Sequence, residues 1–320
     1  MANQSTPLIE FSNVSKKYKN ITALQEASFS INKGDIFGYI GPNGAGKTTT
    51  LKILVGLLRE YTGDVKINGE LVNNYENISE LIGYLPQDVG FQEWRSVNHI
   101  LTTFGLLSGM TREELAERIP EVLQLVGLID ARYRKIKHLS GGMKQKLKLV
   151  QALLHNPPIL ILDEPMSGLD PTSRWQMKNI IKKLAQTEVT IIFSSHILED
   201  VEGIATRIGI INRGKIVKIG KPSELQKELA GGEGVIVIGK KIIQYKEEIN
   251  NLSCVAIVRF DPNNPDRGTI VFQPKVDLEE ALIQLLNFFA SNRIAIKNFN
   301  YLKPSLEEVY LKYIEEDDAT

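Results

Sequence analysis

The stretch Gly41-Pro42-Asn43-Gly44-Ala45-Gly46-Lys47-Thr48 indicates the fold of this chain. It satisfies the pattern G-x-x-x-x-G-K-[ST], in which glycines let backbone N–H groups face phosphates. Residues 31–40 read as a turn and a strand before it, and apolar residues at helical spacing follow it from Thr48 to Leu58. A phosphate-binding loop at a helix N-terminus is therefore predicted, with Lys47 reaching the β- and γ-phosphates and Thr48 offering its hydroxyl to Mg²⁺. Taken alone, the stretch could also be a glycine-rich turn with an exposed lysine.

A pair of carboxylates follows an unbroken apolar run further along the chain. Ile159 to Leu162 is typical of a strand buried on both faces, and Asp163 and Glu164 come directly after it. Phosphoryl transfer to water needs an anchored metal and a positioned water. We therefore expect Asp163 to hold the Mg²⁺ shell and Glu164 to orient or deprotonate the attacking water. An acidic helix cap after a strand is the plainer alternative for this pair taken alone.

A serine and two glycines begin another predicted helix. Ser140, Gly141 and Gly142 precede apolar residues at helical spacing, and Pro157-Pro158 stops that pattern. A serine N-cap with glycines at a helix start forms an anion-binding surface, although it is also an ordinary cap. Together with the two preceding motifs, and in this order, the segment resembles the ATP-binding cassette (ABC) ATPases. The resemblance extends from about Leu8 to Gly220.

The resemblance assigns further roles, residue by residue. Tyr18 matches the aromatic that stacks on adenine, and Gln87 matches the glutamine that touches the metal and responds to a membrane partner. Asp170 lies in the loop that crosses between paired cassettes, and His196 matches the switch histidine at the γ-phosphate. The implied site residues are, for catalysis, Glu164, His196, Lys47 and Gln87; for ATP, Tyr18, Gly41, Pro42, Asn43, Gly44, Ala45, Gly46, Lys47, Thr48 and Thr49; for the metal, Thr48, Gln87 and Asp163; for the signature segment that covers the nucleotide of the facing subunit, Ser140, Gly141 and Gly142; and for the dimer loop between paired cassettes, Asp170.

The pattern of the chain changes after Gly220. Residues 221–320 read as a short helix followed by strand, helix, strand, strand, helix and strand, which is the order of ferredoxin-like domains. We therefore predict an α/β fold: a P-loop NTPase of ABC type over residues 1–220, with a helical subdomain at about 88–150, and a small α+β accessory domain over 221–320. The tail resembles the C-terminal extension of drug- and antibiotic-export ATPases.

Composition limits the function classes. Lys plus Arg and Asp plus Glu each number 38, so the zero net charge argues against a protein that coats nucleic acid, and no nucleic-acid partner is expected. The single cysteine cannot form an internal disulfide, which favours a reducing compartment. Neither a signal peptide nor a run of about 18 apolar residues is recognisable, so the chain is expected not to span a membrane itself.

The resemblance implies an ATPase with ATP and Mg²⁺ as cofactors. In such enzymes the nucleotide on one P-loop is covered by the Ser-Gly-Gly segment of a second cassette, so a second ATPase subunit is an expected partner, most simply a second copy of this chain. A separately encoded membrane permease is the other expected partner, which would place the chain at the cytoplasmic face of the membrane, and export is favoured over import. Two alternatives remain open at this point: a soluble ABC mechanoenzyme acting on nucleic acid or ribosomes, and a module that holds ATP without turnover.

Overall fold

The computed structural model describes residues 7–74, 78–88, 90–230, 233–274, 276–302 and 305–318. Contacts divide the chain into two compact units, of which the first runs to Gly220 and the second spans Lys221–Glu316. In the described ranges, no helix is both long and apolar enough to cross a bilayer.

A six-stranded sheet forms the centre of the first unit, in the order β10-β9-β3-β8-β7-β6. The pairs β3–β8, β3–β9, β7–β8 and β6–β7 are parallel, so these strands end at one edge of the sheet. The strands are β3 (Ile36–Ile40), β6 (Ile82–Leu85), β7 (Ile159–Leu162), β8 (Thr190–Ser195), β9 (Arg207–Asn212) and β10 (Lys215–Gly220). All residues of β3, β7 and β8 are buried, as predicted for β7 from its apolar run.

A second sheet of the first unit is antiparallel and has the order β2-β1-β4-β5. Its strands are β1 (Ile9–Tyr18), β2 (Ile21–Ile31), β4 (Thr62–Ile67) and β5 (Glu70–Leu71). Ile9 and Phe11 of β1 face the core, and Val14 does so after a register shift between Phe11 and Val14; all three are at most 3% exposed. These side chains share one core cluster with Phe37 and Tyr39 of the central sheet, so the two sheets pack through a common interior.

Helices fill the connections between the strands. The first unit contains α1 (Lys47–Leu54), α2 (Ile78–Leu81), α3 (Val97–Leu107), α4 (Arg112–Leu125), α5 (Gly141–Leu153), α6 (Pro171–Ala185) and α7 (Leu198–Val201). The predicted helix over residues 48–58 is shorter than expected and ends at Leu54, because Gly56 adopts a left-handed backbone with φ of 74° two residues later. The helical region between β6 and β7 comprises α3, α4 and α5. Thr111 begins α4 with a capping box, in which its hydroxyl accepts the Glu114 N–H and the Glu114 side chain accepts the Thr111 N–H.

The second unit has the predicted ferredoxin-like order. After α8 (Pro222–Ala230) come β11 (Gly234–Gly239), α9 (Lys246–Asn250), β12 (Val255–Asp261), β13 (Asn264–Phe272), α10 (Leu278–Ser291), β14 (Ile296–Tyr301) and α11 (Leu306–Asp318). Its antiparallel sheet is ordered β12-β13-β11-β14. Asp277 caps α10 by accepting the Glu280 N–H at 3.0 Å, and Leu285 and Phe289 of that helix are buried in a core separate from that of the first unit.

Candidate nucleotide site

The ends of four parallel strands and the glycine-rich loop line one cleft of about 400 Å³. The loop follows β3, Gln87 follows β6, Glu164 follows β7 and His196 follows β8. Because parallel neighbours end at the same edge of a sheet, residues far apart in sequence meet there. The cleft is lined by Ile21, Ala23, Asn43, Gly44, Gly46, Lys47, Thr48, Thr49, Gln87, Glu164, Ser167 and His196.

The glycine-rich loop has the conformation expected of a phosphate-binding turn. Gly46 has φ of 112° and forms the N-cap of α1, where it has no side chain with which to cap the helix. The first N–H groups of a helix have no partner within the helix, and Lys47, Thr48 and Thr49 at the start of α1 line the cleft, so these groups are available to an anion there. A Cβ atom on Gly41 would lie 2.3 Å from the carbonyl oxygen of Ile211, so β9 leaves room for glycine alone at the start of the loop.

Lys47 is held inside the loop by three oxygen atoms. Its Nζ donates to the carbonyl oxygens of Gly41 at 2.7 Å and Pro42 at 3.1 Å, and lies 3.5 Å from Oε1 of Glu164. The side chain is 5% exposed. Burial lowers the pKa of Lys47, and the charges of Glu164 and Asp163 act in the opposite direction. The loop therefore places a partly desolvated ammonium group beside a carboxylate at the wall of the cleft.

Ser194 connects the two carboxylates that follow β7. Its hydroxyl donates to Oδ1 of Asp163 at 2.7 Å and accepts the N–H of Glu164 at 2.9 Å. Glu164 has φ of 49°, a left-handed conformation that costs a non-glycine residue about 1–3 kcal/mol. The hydrogen bond from the Glu164 N–H to Ser194 stabilises this conformation, so a residue of β8 helps to set the direction of the carboxylate that follows β7.

Glu164 is the point at which three elements meet. Its Oε1 is near Lys47 of α1, and its Oε2 lies 2.9 Å from Nδ1 of His196, which follows β8. Glu164 is 7% exposed, whereas the His196 side chain is 35% exposed and lies at the mouth of the cleft. A carboxylate so placed, with an imidazole and an ammonium group as neighbours, has the contacts expected of a general base that acts on a water in the cleft.

The residues predicted to bind Mg²⁺ offer oxygen atoms of the type this ion prefers. Thr48 and Gln87 line the cleft, and Asp163 is fully buried behind it. Oδ2 of Asp163 is buried and has no hydrogen-bond partner within the described ranges. A buried carboxylate oxygen without a partner is costly unless it binds a cation, and Mg²⁺ binds hydroxyl, amide and carboxylate oxygens. The residues present therefore fit Mg²⁺.

Some predicted site residues lie outside this cleft. Tyr18 ends β1, is 43% exposed and has Lys16 Nζ 5.1 Å from its ring centroid. Ser140, Gly141 and Gly142 begin α5, where the Ser140 hydroxyl accepts the Met143 N–H at 3.3 Å. None of these residues is among those that line the cleft. The Ser-Gly-Gly segment of this chain therefore does not line the cleft formed by its own loop.

The loop that contains Asp170 lies beside the Ser-Gly-Gly segment. Asp170 caps α6 by accepting the Ser173 N–H at 3.0 Å, and the hydrogen bonds from the Ser173 hydroxyl and then from this N–H lower the pKa of the exposed Asp170 carboxyl. A Cβ atom on Gly142 would lie 2.5 Å from Oγ of Ser173. The starts of α5 and α6 are thus in close contact, so the Ser-Gly-Gly segment and the Asp170 loop are neighbours in the structure.

Sequence reasoning missed four residues that contribute to the site. Ile21, Ala23 and Ser167 line the cleft, and Ser194 connects the carboxylates beneath it. Ser167 lies three residues before Asp170 in the stretch Ser167-Gly168-Leu169-Asp170, so its position was accessible from the sequence. For Ile21 and Ala23 no motif exists, because they reach the cleft through the approach of β2 to the glycine-rich loop, where a Cβ atom on Gly46 would lie 2.4 Å from the Ala23 carbonyl oxygen. The role of Ser194 depends on β7 and β8 being neighbours.

Comparison with known proteins agrees with this geometry. Residues 24–167 match the family described as ABC transporter. The ABC transporter ATP-binding protein YxlF of Bacillus subtilis is 35% identical over 308 residues, which cover 96% of this chain and 99% of YxlF. The linearmycin resistance ATP-binding protein LnrL of the same organism is 32% identical, covering 95% of this chain and 97% of LnrL.

Solved structures support the same assignment. The ATP-binding cassette MJ0796, in a dimeric post-hydrolysis state bound to ADP and Pi, is 25% identical with a TM-score of 0.61, and the match covers 67% of this chain and 98% of that one. A nucleotide-binding cleft on a P-loop sheet with a helical subdomain defines an ABC-type ATPase. This chain belongs to the ABC transporter ATP-binding proteins and is an ATPase that binds ATP. Cassettes of this family dimerise and work with a membrane permease, and this membership decides against the soluble mechanoenzyme and the module without turnover.

Proposed function

We propose that this chain hydrolyses MgATP in the cleft described above and uses the reaction to drive a separate membrane permease in export. The contact of Glu164 with both Lys47 and His196 carries the proposal. It provides a base, a phosphate-binding cation and a residue for the γ-phosphate within one cleft. An enzyme catalyses phosphoryl transfer mainly by positioning the reactants and by stabilising charge in the transition state, and these groups can do both.

The chain's own residues divide the work as follows. The N–H groups at the start of α1 and the Lys47 ammonium bind the β- and γ-phosphates. Glu164 accepts a proton from the attacking water, and His196 orients Glu164 and contacts the γ-phosphate. Thr48, Gln87 and Asp163 would hold Mg²⁺, which when bound would supply positive charge to the phosphate oxygens. Tyr18 stacks on adenine, for which its 43% exposure leaves the ring accessible.

A second copy of the chain completes the site. Ser140, Gly141 and Gly142 are not among the residues that line the cleft of their own chain, which supports their use as a cover for the cleft of another copy. Two copies related by a two-fold axis would each give and receive this segment. Asp170, next to that segment through the contact of Gly142 with Ser173, would then lie at the contact between copies.

Export and membrane attachment rest on the relatives. LnrL is named for linearmycin resistance, and this chain aligns with 97% of its length, the second unit included. A resistance protein with an ATP-binding chain acts most simply by removing the compound from the cell. We therefore place this chain at the cytoplasmic face of the membrane, attached through a permease, with residues 221–316 as an accessory domain of that exporter type.

Phosphate release by the purified full-length chain tests the ATPase part of the proposal. We expect turnover of ATP with Mg²⁺ and loss of turnover when EDTA removes the metal. Absence of turnover in both conditions would contradict hydrolysis by this chain. Co-expression with a candidate membrane permease tests the transport part: a true pair should co-purify from detergent and reduce cellular accumulation of an exported compound. A pair that raises accumulation would show import instead.

A further inference from the structure

An ion pair links the first turn of α6 to the segment that follows His196. Arg174 Nε lies 3.6 Å from Oδ1 of Asp200. Arg174 follows Asp170 by one helical turn, and its N–H donates to the Asp170 carbonyl oxygen at 2.9 Å. Asp200 is in α7, four residues after His196. The pair therefore connects the proposed dimer loop to the proposed catalytic histidine within one chain.

The second oxygen of Asp200 is hydrogen-bonded to the turn that contains His196. Oδ2 of Asp200 accepts the Ser195 hydroxyl at 3.0 Å, and the same hydroxyl oxygen accepts the N–H of Ile197 at 2.9 Å. These bonds tie the residues on both sides of His196 to one carboxylate. His196 Nδ1 is in turn 2.9 Å from Oε2 of Glu164. A displacement of Asp200 would thus change the position of the imidazole relative to the base.

Burial makes Asp200 dependent on Arg174. The Asp200 side chain is 3% exposed and that of Arg174 is 26% exposed. A buried carboxylate needs a partner charge, so removing the guanidinium would leave it uncompensated. At 3.6 Å, neither Arg174 Nε nor Asp200 Oδ1 makes a hydrogen bond within the described part of the chain. A shift of α6 by a few tenths of an ångström would bring these two atoms to hydrogen-bonding distance.

A second contact links α6 to α7. Lys178, one turn beyond Arg174 on α6, donates through Nζ to the carbonyl oxygen of Glu199. Val201 of α7 packs over Gly38 of β3, where a Cβ atom would lie 2.6 Å from its Cγ1. One side of α7 is therefore fixed to the central sheet, while the other side meets α6 through charged groups.

We propose that Arg174 and Asp200 are positioning residues that transmit contact at Asp170 to the His196–Glu164 pair. This inference rests on the proposed function, because it takes Asp170 to face a second copy and His196 to act in hydrolysis. Closure of two copies would press on the Asp170 loop and on the first turn of α6. The Arg174–Asp200 pair would then shorten and set the His196 turn in its productive orientation. Neither residue touches ATP, so the pair should affect the rate of the chemical step and not the binding of nucleotide.

Steady-state ATPase kinetics of the full-length chain test the proposal with Arg174→Ala, Asp200→Asn and the double variant. We expect kcat to fall about tenfold or more in each single variant, with KM and the MgATP Kd within about twofold of the parent. The loss in the double variant should equal that of one single variant, because the two residues act as a unit. Arg174→Lys, which keeps the charge, should recover part of kcat.

Matched controls separate this role from general damage. Lys182→Ala removes an exposed charge from the same helix, and Glu199→Gln changes the exposed neighbour of Asp200. Both should leave kcat unchanged. Arg174→Ala also covers the case in which Asp200→Asn does not fold, because Arg174 is partly exposed.

Three results would overturn the inference. They are an unchanged kcat in a folded Arg174→Ala variant, losses that multiply in the double variant, and loss of kcat together with an equal loss of MgATP affinity. The parent chain and Glu164→Gln belong in the same series. A parent chain without ATP turnover would refute the proposed function itself. An active parent whose kcat is unchanged in the Arg174 variants would refute the coupling alone.

Discussion

His196 Nδ1 lies 2.9 Å from Oε2 of Glu164, although 32 residues separate them in the chain. The contact follows from the parallel pairing of β7 with β8, in which Leu162 is opposite Phe193. Each strand is followed at the same sheet edge by a polar side chain, so the carboxylate and the imidazole meet there. Lys47, 3.5 Å from the other oxygen of Glu164, joins them from the glycine-rich loop.

Glu164→Gln should stop hydrolysis and trap an ATP-bound dimer. The amide keeps the size of the side chain but cannot accept a proton, and loss of a general base lowers kcat by about 10²–10⁴-fold. Size-exclusion chromatography with MgATP should show the variant as a dimer and the parent mainly as a monomer. Glu188→Gln, on an exposed side chain, is the control and should behave as the parent. A Glu164→Gln chain that stays monomeric with ATP would count against pairing around the nucleotide.

Lys47→Ala should weaken nucleotide binding strongly. Hydrogen bonds to charged groups contribute about 1.5–3 kcal/mol, so we expect Kd for MgATP to rise about 10- to 100-fold or beyond detection. Isothermal titration calorimetry measures this directly. Lys52→Ala, which removes an exposed lysine from the same helix, should bind as the parent does. Tight binding retained in Lys47→Ala would refute the assignment of the loop.

Ser194→Ala should lower kcat and leave KM almost unchanged. The variant removes the hydroxyl that holds Oδ1 of Asp163 and the N–H of Glu164, and burying these groups unpaired costs about 1–3 kcal/mol. The variant should therefore have a lower melting temperature. It should also lose the contact that orients Glu164, so that kcat falls about tenfold. Ser108→Ala, at the exposed end of α3, supplies the control. Full activity in Ser194→Ala would mean that Glu164 keeps its direction without this hydrogen bond.

Cys254 should report the opening of the second unit. The thiol is 3% exposed, and burial raises its pKa, so a thiol reagent should label it slowly in the folded chain and rapidly in urea. Because the unfolded thiol loses its proton near pH 8.5, before the folded one, the free energy of unfolding should fall as the pH rises above about 8.5. Urea titrations on either side of that pH measure the effect, and Cys254→Ala should lack this component. Rapid labelling of the native chain would show that the site is more accessible than its burial indicates.

Local patterns were sufficient for many elements. The apolar run of β7, the glycine-rich loop and the cap at Ser140 each depend on residues close together in sequence, and all three occur as expected. The end of α1 was predicted four residues too late, because apolar spacing continues to Leu58 while Gly56 already turns the backbone out of the helix. The spacing of apolar side chains does not predict where a glycine with a left-handed backbone ends a helix.

By itself the sequence determined the chemistry available to this protein: a phosphate-binding loop, two carboxylates after a buried strand and the order of an ABC-type ATPase. Tertiary structure alone decided which of these groups touch. Three contacts join segments that are distant in sequence: the Ser194 bridge, the contact of Gly142 with Ser173 and the Arg174–Asp200 pair. The first of them also stabilises the left-handed backbone of Glu164. Such contacts depend on which strands are neighbours and on how helices pack upon them. The residue pattern along a single strand or helix does not show strand order or helix packing.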